Sequence, residues 1–174
     1  MIRAFLRRLR RDEQGASIIE FALLAPILLV VLLGTVTLFD MFRNAQNVEK
    51  ATFTVGDILS RQTTVTQAQL TSLLSLVRHM VGTADDGSLR VSSISKASGA
   101  LKLDWSKVVG NNASVAGAAI PYDLVPDMAD GDSVLLTESF VPHGAFAAGF
   151  GLDNITFKTR SVHRPRFVSA IKFQ

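Results

Sequence analysis

Gly15-Ala16-Ser17-Ile18-Ile19-Glu20-Phe21 opens an apolar run that continues to Phe39, and from Phe21 to Phe39 that run holds no charge. Ala16 to Phe39 offers about 24 residues, a helix roughly 36 Å long, enough to cross a hydrocarbon core of about 30 Å. Upstream, residues 1–14 carry Arg3, Arg7, Arg8, Arg10 and Arg11 against only Asp12 and Glu13. Such a cluster stays on the cytoplasmic side. A secretory signal has a similar start, but its apolar region is about 7 to 15 residues long and ends at a small-x-small site. Here the run is longer, and Gly34-Thr35-Val36-Thr37-Leu38-Phe39 shows no Ala-x-Ala signal before helical sequence resumes. The expectation is an anchor that stays with its domain.

Glu20 is the anomaly in that anchor. An ionised side chain in a spanning helix costs roughly 2.5 to 3.5 kcal/mol on insertion scales, so a chain that keeps one has a use for it. The plainer account is a carboxylate about one turn into the span that snorkels to the headgroup zone. Pro26, also inside the run, leaves the carbonyl of Ala22 without its usual donor and loosens the preceding turn. A simple kink and a packing role both fit it.

Beyond the span, Met41, Ala45, Val48, Thr52, Val55 and Leu59 recur at steps of four and three, an amphipathic stripe. The spacing predicts one helix from about Ala16 to Ser60, roughly 67 Å long. Thr66 with Gln69 has the pattern of a capping box, followed by Leu70, Leu73, Leu74, Val77 and Met80 on one face of a second helix ending near Val81-Gly82. Thr83-Ala84-Asp85-Asp86-Gly87 is turn material. Leu101, Leu103 and Trp105 alternate with polar residues as in a half-buried strand, with 89–94 as its neighbour. Residues 111–126, rich in Ala, Gly, Asn and Pro, read as a long loop too poor in large apolar groups for the core. Strands follow at 133–141, stopped by Pro142, and at 155–162. The fold class expected is α+β: a long N-terminal transmembrane-plus-amphipathic helix, a second helix and a small antiparallel sheet.

The remaining features limit function more than they assign it. The formal charge is only +3 and much of the excess sits in the leader, which gives a nucleic-acid partner little support. Cysteine is absent, so disulfides and thiolate sites are excluded. His79, His143 and His163 lack metal-ligand spacing and read as surface residues. Asp127, Asp130 and Asp132 around Gly131 miss the register of a calcium loop, because Met128 and Thr137 fall where ligands are needed. The Gly144-Ala145-Phe146-Ala147-Ala148-Gly149-Phe150-Gly151 loop has no Gly-Lys-Ser/Thr ending and is no phosphate loop. It offers a binding tip, or two rings folded back onto the sheet; the second is favoured because exposed aromatics promote aggregation. No cofactor, metal or catalytic constellation is expected.

The basic leader, Gly15, Glu20 as the fifth residue after it, and Phe21 resemble the prepilin-peptidase site of type IV pilins. The wider Gly15-Ala16-Ser17-Ile18-Ile19-Glu20-Phe21-Ala22-Leu23-Leu24-Ala25-Pro26 segment resembles the TadE/TadG-like pseudopilins of the tight-adherence (Flp pilus) system. The resemblance covers about the first 40 residues. It implies cleavage between Gly15 and Ala16 by a membrane aspartyl peptidase, with assembly or recognition roles for Glu20, Phe21 and Pro26. It also implies a pilin-like layout: a basic cytoplasmic leader (1–15), a transmembrane helix (16–39), an extramembrane extension (40–60) and a periplasmic α+β domain (61–174). The partners implied are the prepilin peptidase, other pilins and pseudopilins, inner-membrane pilus assembly proteins and the lipid bilayer. The competing expectation is an unprocessed single-span envelope protein whose periplasmic domain is a binding module.

Overall fold

A computed structural model describes residues 13–82, 87–111, 115, 117–152 and 155–174. The arginine-rich part of the leader and most of the expected 83–87 turn lie outside them. The stem is one helix, α1 (Glu13–Ser60), 48 residues and about 72 Å long. It runs unbroken through Pro26. Threonines that would otherwise strand a hydroxyl in apolar surroundings return it to the helix: Thr35 donates to Val31 O (2.8 Å), Thr37 to Leu33 O (2.8 Å) and Thr52 to Val48 O (2.7 Å).

Short strand β1 (Thr64–Val65) leads to α2 (Gln67–Val81). The capping box forms as its sequence requires, Gln69 N–H donating to Thr66 Oγ1 (3.3 Å) and Thr66 N–H to Gln69 Oε1 (2.9 Å). At the other end Gly82, at φ 71°, supplies the left-handed cap, its N–H reaching Arg78 O. Leu70, Leu74, Val77 and Val81 are the buried face; Met80, expected there, is at its rim and 37% exposed.

A four-stranded antiparallel sheet backs these helices, in the order β3-β2-β4-β5, built from β2 (Ser88–Ala97), β3 (Ala100–Gly110), β4 (Ser133–His143) and β5 (Ile155–His163). The fold is α+β. A strand not foreseen, β6 (Lys172–Phe173), pairs in parallel with β1, and Arg166 N–H caps the last turn of α1 at Ser60 O (2.8 Å). The C-terminal tail therefore returns to the top of the stem.

Three sequence expectations need correction. Leu103 and Trp105 do not share a face: the register shifts between Ser93 and Ile94, which pair with Trp105 and Leu103, so Asp104 is an extra residue in a bulge. Trp105 packs towards the helices and Leu103 onto the opposite face. Pro142 does not stop β4, which continues to His143 paired with β5 alone. With β2 ending opposite Phe140, that stretch has a free edge where a missing N–H does no harm. The 111–126 stretch, finally, contributes to packing. Val115 is buried and Ile120 and Val125 join Ile94, Met128, Val134 and Leu136 in a second core.

The main core lies between sheet and helices. Val48, Ala51, Val55 and Leu59 of α1 meet Leu70, Leu74 and Val77 of α2 and Leu89, Val91, Leu135 and Ile171. The stripe predicted for the stem is the face that holds the domain to it. The opposite face carries a row of charge across three strands, Arg90, Glu138 and Arg160, which are direct cross-strand partners. Glu138 is fully buried and accepts from Arg90 Nε (2.5 Å) and Arg160 Nε (3.1 Å). Arg90 also donates to the carbonyls of Val115, Ala118 and Ala119, stitching the apolar-poor loop over the sheet.

Candidate functional site

Gly15, Ala16, Glu20 and Phe21 occupy the first turns of α1, with Pro26 about 9 Å further along. The bond between Gly15 and Ala16 falls near the amino-terminal end of the described helix. Ala16 and Glu20 stand one turn apart. Glu20 is exposed, flanked by Ile19 (63% exposed) and Phe21 (67%), and no ion pair holds it among the described residues. Exposed apolar side chains surround the helix from Phe21 to Leu33, within a stretch long and apolar enough to cross a membrane. A helix apolar on all sides has no solvent face to offer water.

Higher on the stem the domain takes over, and four contacts fix the junction. At Gly34 the ring of Phe150 closes in, so that a Cβ there would lie 3.1 Å from Phe150 Cε1. Phe150 is thus turned onto the stem, not onto the sheet as expected, and Phe146 is 65% exposed. Asn44 Nδ2 sits 3.2 Å from His143 Nδ1 and donates to Asp40 Oδ2 (3.2 Å). Ser161 Oγ donates to Thr52 O (3.2 Å), and His163 packs on Gly56 and edge-on to Phe53.

The histidines also need correction. His79 is exposed, but His143 is buried beneath Phe157 and His163 is half-buried with neither ring nitrogen hydrogen-bonded. Burial lowers the His163 pKa from its ordinary value, Asp57 opposing and Arg166 adding to the effect. The three aspartates around Gly131 diverge. Asp127 pairs with Lys96 (2.8 Å), a hydrogen bond that lowers the carboxyl pKa and raises that of the ammonium; Asp130 accepts from Gly99 N–H, and Asp132 meets Arg164. An open cleft at the β3 edge is lined by Asp104, Trp105, Lys107, Ile171 and Phe173, with Trp105 Nε1 donating to Ile171 O (2.8 Å).

Residues 15–57 match the family model described as TadE-like protein. Over its stem the chain is TadE-like. No curated protein and no solved structure matches the chain. The TadE-like segment begins at Gly15 and ends at Asp57, so it takes in Gly15, Ala16, Glu20, Phe21 and Pro26, the apolar span and most of the buried stripe. It associates the chain with the Tad pilus system. The sheet lies outside the TadE-like match. The junction residues Phe150, His143 and His163 escaped the sequence reading; the signal bearing on two of them is a glycine inside a helical pattern, and Gly34 and Gly56 each receive a ring, although neither glycine tells which ring.

Proposed function

We propose that this chain is a minor pilin or pseudopilin of the tight-adherence (Flp) pilus, cut by prepilin peptidase after Gly15. The span of α1 holds it in the bacterial inner membrane with the leader cytoplasmic and the sheet domain periplasmic, and it joins other pilins or the pilus assembly proteins through that helix. The observation that carries this reading is Glu20, exposed within the apolar part of a TadE-like stem and one turn from Ala16. Cleavage would leave a cationic amine on Ala16 in an apolar setting, and a carboxylate one turn away, in the same subunit or a neighbour, is the partner that makes both charges tolerable.

The role is structural: apolar helix faces and the amine-to-carboxylate contact order subunits as they leave the lipid, while the domain caps or adapts the assembly. Mass measurement of the mature amino terminus, with and without the peptidase, tests it. A chain beginning at Ala16 only when the peptidase is present, and loss of pilus assembly in Glu20→Ala with membrane insertion retained, are the expected results. An intact leader and normal assembly of the variant would favour an unprocessed single-span protein whose domain binds a partner.

A further inference from the structure

We infer that the 144–152 loop is a second membrane contact, lying in the lipid leaflet on the domain's side of the bilayer. The inference rests on α1 spanning the membrane. Asp40 is the first charge after Glu20 and marks where the span must have left the hydrocarbon. Gly34, which carries the Phe150 ring, is six residues earlier, about 9 Å nearer the bilayer centre. The Phe150 ring, resting at Gly34, therefore lies below the level of Asp40 and brings its loop towards the bilayer.

Its chemistry suits that depth. Gly144-Ala145-Phe146-Ala147-Ala148-Gly149-Phe150-Gly151-Leu152 contains neither a charge nor a polar side chain, and Phe146 is 65% exposed. In water such a tip is an aggregation hazard; against acyl chains the ring is sheltered. The loop is outside any helix or strand, so its backbone N–H and C=O groups need water or headgroups. The occupant that satisfies both demands is the headgroup and upper acyl region, continuous with the lipid already around the span. A second copy of the chain would supply apolar cover too, and the test separates it.

The chain has no cysteine, so single-cysteine variants take one label each. Full-length Phe146→Cys, Val30→Cys and Ala97→Cys are labelled with an environment-sensitive fluorophore and reconstituted in phosphatidylethanolamine/phosphatidylglycerol vesicles. Val30 is in the span, and Ala97 is in the hairpin at the opposite end of the sheet from His143. The expected result is blue-shifted emission at 146 and 30, quenched by nitroxide lipids and shielded from iodide, with the reverse at 97. Quenching at 30 but not at 146 overturns the loop's membrane contact alone: iodide quenching at 146 then means water, and a blue shift insensitive to both quenchers means a protein neighbour. No lipid quenching at 30 overturns the span, and the loop contact with it. Ala148→Cys, read with and without Phe146→Ser, gives a second reading in a loop that keeps its Phe150 contact; lipid quenching that weakens with the serine supports the inference, and none in either form overturns it.

Discussion

Gly56 in the stem and His163 at the end of β5 approach so closely that any Cβ on Gly56 would overlap the imidazole. By helix propensity alone Gly56→Ala should stabilise α1 by roughly 1 kcal/mol. Overpacking of this kind costs about 1 to 3 kcal/mol, so the net result expected is destabilisation. Denaturant midpoints of Gly56→Ala alone and in a His163→Ala background measure it. The loss should shrink once the ring is gone, with a remainder from Ser161 Oγ, which would lie 2.9 Å from the same Cβ, and equal losses in both backgrounds would refute the ring contact.

Stability should fall with acid in a window set by His163. Its folded pKa is depressed by burial, so the unfolded chain takes up the proton first as pH falls. The contribution of the neutral ring is fully present above the ordinary value of 6.5 and is lost as pH falls from there through the lower folded value. Unfolding followed from about pH 7.5 to 5 should show a slope that His163→Asn flattens.

Glu138→Gln leaves the buried Arg90 guanidinium without its counter-charge, and a loss of about 3 to 5 kcal/mol is expected. Because Arg90 also holds the carbonyls of Val115, Ala118 and Ala119, Arg90→Met should speed hydrogen exchange in 117–126 while the helices stay protected. Uniform acceleration across the domain would mean that the arginine does not specifically clamp the loop.

Thr66→Ala removes half of the capping box, and a loss of about 1 kcal/mol is expected in thermal unfolding. Thr66→Asp, which keeps an acceptor for Gln69 N–H, should recover most of it.

The stem was legible because its signals are local and periodic: Val48, Thr52, Val55 and Leu59 recur at helical spacing and are all buried. Thr66, Gln69 and Gly82 likewise announce both ends of α2 within a few residues. The sheet's bulge escaped because Leu101-Lys102-Leu103-Asp104-Trp105 alternates perfectly, and only pairing with β2 shows that Asp104 is inserted. Val115 and its neighbours escaped because their anchor, Arg90, lies more than twenty residues upstream and reads as a surface charge. For the candidate site, the arrangement of Gly15, Ala16 and Glu20 along one helix followed from the sequence. The contacts of Gly34 with Phe150 and of Asn44 with His143 are tertiary and bridge about a hundred residues or more, beyond any local pattern.

The returning C-terminus gives the molecule a closed load path. Traction along α1 reaches the sheet through the apolar stripe and, at Ser60, passes to Arg166, while Gln174 N–H holds Val65 O just above. A tug on the anchor is shared between the two ends of the folded domain, which resists being peeled from its shaft one strand at a time.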